Sequence, residues 1–299
     1  MAEATFTPSD IMGPQIFGLP VDREILFSNH KNVYKKRIEK RQRKLIVKLT
    51  FLKPFLKKGE KILLITTGYS PLSSPAQYLT GFLFVYLKRA MYIFTNYRVF
   101  HVPVTSNLKH KNSISQIDYA GCQSIILKGG TLIVKYVKAG KSEKLKAVAV
   151  SERKRIKALL KNIIPLSGTQ RHLASRIHLC PSCTHKLEDG KYSCEYCNLK
   201  FKNKRIAALS SVFIPGGGYF YIRHYLLGSL NAVLELFLLF YCAFLINNYI
   251  NHLPVNLIHL VAAPLIFLYL KMAALLHSTH FIDEFILLEK NKTPLNIRL

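Results

Sequence analysis

The chain is 299 residues long and carries 43 Lys and Arg against 16 Asp and Glu, a formal net charge of +27, yet 49% of it is hydrophobic and its mean hydropathy is positive. A disordered basic tail could not hold that much apolar material, and a soluble enzyme seldom combines such charge with such hydropathy. The two properties separate along the chain: residues 1–205 hold 38 of the 43 basic and 12 of the 16 acidic side chains, whereas residues 206–299 are almost neutral. This distribution predicts a basic, water-facing part followed by an apolar membrane anchor.

Residues 1–30 are rich in Pro and Gly, show no period and read as an extended arm. They contain Glu3 and Asp10 and no apolar stretch of signal-peptide length, so the basic part is expected to stay in the cytosol, where thiols are kept reduced. Between Lys31 and Lys61 there are 13 basic residues against Glu39 and Glu60. Tyr34, Ile38, Leu45, Leu49, Leu52 and Leu56 recur near helical spacing, so 31–58 is expected to be a basic amphipathic helix interrupted by Pro54. Three uses stay open. The helix could pack one stripe on its own domain; it could lie along anionic headgroups; or it could contact nucleic-acid phosphates. In the second case Lys35, Lys36, Arg37, Lys40, Arg41, Arg43, Lys44 and Lys48 are the lipid or partner contacts, each worth about 1 kcal/mol near the surface.

Residues 59–165 read as strands closed by one helix. The strands are Lys61–Thr67, the long run Met91–Val104, Ser113–Tyr119, Gln123–Leu127, Thr131–Val137 and Glu143–Val150, and the helix is Arg153–Ile163, stopped by Pro165. Antiparallel strands with a single C-terminal helix make a small α+β barrel pattern. The run Tyr92-Ile93-Phe94-Thr95-Asn96-Tyr97-Arg98-Val99-Phe100-His101-Val102, followed by Ser113-Ile114-Ser115-Gln116-Ile117, resembles the bacterial PH-like and GRAM-like domains, whose hallmark is a TNxR hairpin before an IxxI strand. The resemblance implies a PH-superfold barrel, a fold that serves both lipid and protein ligands. One departure is the apolar run Tyr78–Leu87, too short to span a bilayer. It reads either as a strand buried on both faces or as a hydrophobic loop dipping into a membrane beside Lys88 and Arg89.

After a linker, 166–178, Cys180-Pro181-Ser182-Cys183 and Cys194-Glu195-Tyr196-Cys197 stand ten residues apart in the segment 179–203. Each CxxC turn points two sulfurs at one centre, and two such turns make the four-sulfur tetrahedral cage that zinc prefers. This predicts a zinc ribbon holding one Zn2+ per chain, structural because four Cys leave no open coordination position. Iron in a rubredoxin-like site uses the same ligands. Cys122 and Cys242 read as small buried hydrophobes.

Ile206–Ile222 is apolar but broken by Pro215-Gly216-Gly217-Gly218, with Arg205 before it and Arg223 after, so 204–224 is expected to be a re-entrant or interfacial helix pair. Tyr225–Ile250 and Leu253–His277 are each long enough to span, giving a transmembrane hairpin over 225–280 and a cytosolic tail over 281–299. The run Ala207–Leu230 resembles the TM-two type of bacterial membrane module, which implies an anchor and assigns no chemistry. Within the spans, Gly228, Ala232, Glu235 and Cys242 share one helical face and Ala263, Phe267, Lys271 and Ala274 another, so the carboxylate Glu235 is expected to pair with Lys271. His277, His280 and Glu284 share a face as well. They are read as interfacial polar caps, with a second metal site as the alternative.

No P-loop, GxSxG, HExxH or GxGxxG occurs. The expected protein is a multidomain α+β membrane protein: a PH-like barrel, a zinc ribbon and a helical hairpin. Its expected role is that of a non-enzymatic adaptor or sensor on the inner (cytoplasmic) membrane, binding anionic lipid headgroups or a protein partner, with its membrane helices available for homo-oligomerisation. The alternatives are a membrane-tethered nucleic-acid binder and, behind it, a small transporter component or enzyme using Glu235 and the His277, His280 and Glu284 face.

Overall fold

The computed structural model describes residues 15–71, 88–138, 142–164, 166 and 175–289, and the chain divides into two compact units that meet in sequence between Asn198 and Leu199. The organisation is mixed α+β, with sheets and a Cys cluster in the first unit and two long apolar helices in the second. The apolar run 78–87 and the turn 139–141 lie outside the described residues.

The first unit opens with a minimal hairpin, β1 (Gln15–Ile16) and β2 (Leu19–Pro20), and a short helix, α1 (Arg23–Phe27), capped by Asp22, which accepts from the Ile25 N–H at 3.1 Å. Next comes α2 (Lys36–Ile46), which tightens into a 3-10 helix over Val47–Phe55. The helix expected from Lys31 starts later because Asn29 accepts from the N–H groups of Lys31 (2.8 Å) and Val33 (3.2 Å), and Asn32 is left-handed at φ 57°. That local Asn turn competes with helix initiation. The apolar stripe of this segment, Leu45, Ile46, Leu49, Leu52 and Phe55, is buried with Ile62, Ile65, Met91, Ile93, Phe100 and Val102 in one core.

Those sheet residues belong to β3 (Ile62–Tyr69), β4 (Arg89–Thr95) and β5 (Arg98–Pro103), which with β6 (Ile114–Asp118) form an antiparallel meander. A second sheet holds β7 (Cys122–Lys128), β8 (Thr131–Tyr136) and β9 (Ser142–Leu145), followed by α3 (Arg153–Asn162). Ala90, Tyr92, Phe94, Ile125, Leu127, Val134, Ile156 and Leu159 join in a second core between the sheets and α3. Since β4 is buried on both faces, its sequence is a continuous apolar run rather than an alternating one. The end of the expected linker and the first residue of the expected ribbon form β10 (Ile177–Leu179), a fifth strand that pairs with β6 in the register His178 to Ser115, so the first sheet runs β10-β6-β5-β4-β3.

The expected run Met91–Val104 is two strands joined at Asn96–Tyr97. Thr95 Oγ1 accepts from the Arg98 N–H at 3.0 Å, and Asn96 bridges to the chain before β3, accepting from Lys61 N–H at 2.8 Å and donating to the Gly59 carbonyl at 3.1 Å. The buried Arg98 guanidinium forms a bidentate pair with buried Glu60, at 2.9 Å from Nε and 2.7 Å from Nη2, and Nη2 also reaches the Phe55 carbonyl at 2.7 Å. The Thr-Asn-x-Arg turn thus ties the β4–β5 hairpin to the end of the 3-10 segment.

In the second unit, Phe201 pairs with Leu287 and meets Phe285 edge-on at 5.4 Å. Asn203 caps α4 (Lys204–Phe213), which is followed by a turn at Ile214–Gly216 and the short α5 (Gly217–Tyr221). Two 26-residue helices complete the unit, α6 (Tyr225–Ile250) and α7 (Leu257–Ile282). The second begins at Leu257 rather than Leu253 because Pro254 lacks an N–H and Asn256 supplies the cap, accepting from Ile258 N–H at 2.9 Å. Both pass the length and composition test for crossing a membrane, with mean hydropathies of 2.0 and 1.9. Only 11% and 17% of their most apolar stretches are buried, unlike the core helices of soluble proteins.

Candidate functional site

The two CxxC turns have the same backbone. Thr184 N–H returns to the Cys180 carbonyl and Asn198 N–H to the Cys194 carbonyl, each at 3.0 Å, and Thr184 and Asn198 are both left-handed, at φ 63° and 54°. The first turn continues directly from β10, and Leu187 N–H pairs back to the His178 carbonyl at 2.8 Å. Sulfur to sulfur, Cys180 and Cys197 are 3.5 Å apart, as are Cys183 and Cys194, and all four sulfurs lie within 4.8 Å of one another. These separations exceed a disulfide bond. They bracket the edge of about 3.8 Å expected for four sulfurs placed tetrahedrally around a metal at about 2.3 Å. The cluster can therefore hold a metal ion, and with four Cys ligands the site is closed and structural.

The thiols differ in their surroundings. Burial pushes Cys180 and Cys183 up, although backbone N–H groups in their turn oppose it. At Cys194 burial also acts upward but is outweighed by the N–H groups of Cys197 and Tyr196 and by the neighbouring sulfurs, which bring it down to about 7. The second turn is thus already built to stabilise a thiolate, the form a metal needs.

The charged pair in the long helices sits at the Pro-Gly turn. Lys271 Nζ is 2.9 Å from Glu235 Oε2 and also donates to the carbonyls of Ser211 (3.2 Å) and Ile214 (3.4 Å), at the C-terminal end of α4. Glu235, fully buried, accepts from Asn231 Nδ2 at 2.6 Å and from the Gly216 N–H at 3.1 Å. The three ammonium protons have three acceptors, and both carboxylate oxygens are engaged. This closed network satisfies the non-helical turn. Gly216 is left-handed at φ 65°, and a Cβ there would lie 2.2 Å from the Gly228 carbonyl oxygen; at Gly218 it would lie 2.0 Å from Ser211 Oγ. Helical spacing pointed to the Glu235–Lys271 pair, and nothing in it pointed to Gly216, whose contribution is a backbone N–H.

His277, His280 and Glu284 do not converge on one another. His277 Nδ1 is 2.7 Å from the Tyr219 hydroxyl, and His280 Nδ1 is 3.5 Å from Asp283, which also pairs with Lys204. Among the described residues, the four cysteines form the metal-capable group of His, Cys, Asp and Glu side chains. Nearby, buried Lys202 donates to the Tyr221 carbonyl, and burial, with Arg223 close by, lowers its ammonium to about 8.

Along α2 and its flanks, Lys35, Lys36, Arg37, Lys40, Arg43, Lys44 and Lys48 are exposed. Arg41 instead turns inward to an ion pair with buried Glu152, which also takes Arg155 at 2.5 Å. Gln42 is fully buried and exchanges hydrogen bonds with Ile65 of β3, at 2.9 and 3.1 Å.

A buried Ser70–His101 contact, 2.8 Å from Oγ to Nε2, has the distance of a nucleophile and its base. Arg176 Nη1, a donor only, and Ser115 Oγ each lie 3.0 Å from His101 Nδ1, an arrangement that suits the tautomer with its proton on Nε2, facing Ser70. That tautomer cannot take the serine's proton, and among the described residues there is no catalytic triad.

Compared with family models, curated proteins and solved structures, the chain matches none.

Proposed function

We propose that this chain is a non-enzymatic membrane-anchored adaptor or sensor, in which a PH-like domain and a structural zinc ribbon carry a basic face that binds anionic lipid headgroups. The carrying observation is the division of the segment formed by α2 and the 3-10 helix after it: its apolar stripe is committed to the core while seven Lys and Arg between Lys35 and Lys48 face solvent. Headgroup contact is then electrostatic, with no apolar insertion of this helix. The PH-like assignment is supported by a four-stranded meander, a three-stranded sheet and a closing helix in that order. Zinc, rather than iron, is the metal proposed, since a closed four-sulfur cage without a redox partner suits a structural ion. The membrane would be the inner one, with both ends of the hairpin on its cytosolic side.

The test is to purify the full-length protein in mild detergent and identify what accompanies it. Anionic phospholipid enriched over the bulk membrane, and lost when Lys36, Lys40 and Lys44 are changed to Glu, supports the reading. Nucleic acid that copurifies and dissociates steeply with salt would replace it with the phosphate-binding alternative.

A further inference from the structure

The unit α4–turn–α5 has features suited to hydrocarbon rather than water. Along α4, Ile206, Leu209, Val212 and Phe213 are exposed, Phe213 to 76%, while Ala207 and Ser211 face inward. At the tip, where a polypeptide in water would leave its groups to solvent, Gly216 N–H is given to Glu235, and the Ser211 and Ile214 carbonyls to Lys271. Non-helical backbone survives at membrane depth only when protein satisfies it in this way.

The depth of the tip follows from its partners. Lys271 lies about 16 Å along α7 from that helix's end at Ile282, and Gly228 to Glu235 lie about 5 to 15 Å along α6 from its start, at 1.5 Å per residue. A hydrocarbon core is about 30 Å thick, so the tip stays within the half in which α6 begins and α7 ends. The polar ends gather on that same side: Lys204 pairs with Asp283, and Arg223 donates to the Leu288 carbonyl at 2.7 Å. Among the described residues, one leaflet therefore holds α4 and α5 in addition to the two long helices, whereas the other holds the two long helices alone. At a helix diameter of about 10 Å the excess is on the order of 100 Å² per added helix.

We propose that Lys204–Tyr221 is a re-entrant wedge in one leaflet, and that the lipid surface this chain fits is a curved one whose convex leaflet contains the wedge. The proposal rests on reading α6 and α7 as spans. The chain contains no Trp, so Phe213→Trp gives a single fluorophore at the exposed tip. In vesicles of phosphatidylcholine and phosphatidylglycerol, quenching of this Trp should be several-fold stronger with lipids brominated deep in the acyl chain than with lipids brominated near the carbonyl, and aqueous acrylamide should have little effect. In the same vesicles an N-terminal fluorescent tag, read with and without an impermeant quencher, separates outward-facing from inward-facing chains. The density of outward-facing chains should rise several-fold from the largest to the smallest vesicles, and that of inward-facing chains should fall. Shallow or acrylamide quenching, or densities independent of vesicle size, would overturn the wedge while leaving the spans in place. Release of the chain by alkaline extraction would overturn both.

Discussion

In the proposed zinc ribbon, removing the metal should unfasten an edge of the main sheet as well as the Cys cluster. The first CxxC turn continues β10, and β10 is held to β6 by three residue pairs and by burial of Leu179. Leu179 and Leu187 are the buried aliphatic side chains of the segment 175–198, together worth about 4 kcal/mol at about 2 kcal/mol each. A structural zinc site contributes about 10–16 kcal/mol in small metal-dependent folds. The metal therefore outweighs aliphatic burial by a wide margin, and Cys194→Ser, or chelation, should release 177–187. Peptide-resolved hydrogen exchange of the full-length protein, with metal content measured on the same sample, reads this directly. Protection should fall at 177–179 and at their partners 114–116, while β4 and the inner part of β5 keep theirs. Protection at 177–179 that survives verified metal loss would refute the reasoning.

Replacing Arg98 with Met should destabilise the first unit by about 3–5 kcal/mol, since it strands the buried Glu60 carboxylate, and the denaturation midpoint should fall accordingly. Glu235→Gln and Lys271→Met should each lower the melting temperature in detergent, by an equivalent of about 3 kcal/mol, and the double variant should recover part of that loss; strictly additive effects would exclude the pairing. Lys202 gives a pH dependence. Its folded pKa, about 8, lies below the ordinary lysine value, so between the two the unfolded chain binds more protons and stability should rise with pH, by up to about 3 kcal/mol. Below about pH 8 both states are protonated and the slope vanishes. A Lys202→Met variant should lose that part of the profile, and a wild-type profile that falls over the same window would contradict the assignment.

What could be read from the sequence depended on whether a residue's partner was near in the chain. The Cys pairs announce themselves because two ligands sit three apart in each turn and the turn chemistry is local. The strands of the meander are legible from β-branched and aromatic runs, and the Thr95–Arg98 turn from its side chains. Glu60 is not legible as the partner of Arg98, because it appears only as a stray acid at the end of a basic segment. Ile177 and His178 of β10 are indistinguishable from linker, since pairing with β6 is what makes them a strand. Similarly, helical period puts His277, His280 and Glu284 on one face, but Tyr219 and Asp283 engage the two histidines, and period is blind to other elements. Hydropathy carries the second span back to Leu253, where the cap at Asn256 decides otherwise.

The same distinction between local pattern and distant partner bears on the charge. A basic amphipathic helix read alone suggests insertion into a bilayer by its apolar face. Here that face is already committed to Ile62, Ile65 and their neighbours, so under the proposed reading only the seven exposed cations remain for headgroups. Each contributes about 1 kcal/mol and acts within a Debye length of about 8 Å at physiological salt, so the contact is reversible and tracks the charge density of the leaflet. A free protein held by at most about 7 kcal/mol would exchange on and off the surface. A tethered one need not be held by it at all, because the spans keep the basic face at high effective concentration near the surface. On the proposed reading the anchor supplies permanence, which leaves the basic face free to respond to what lipid is present, the property a sensor needs and a second anchor would remove.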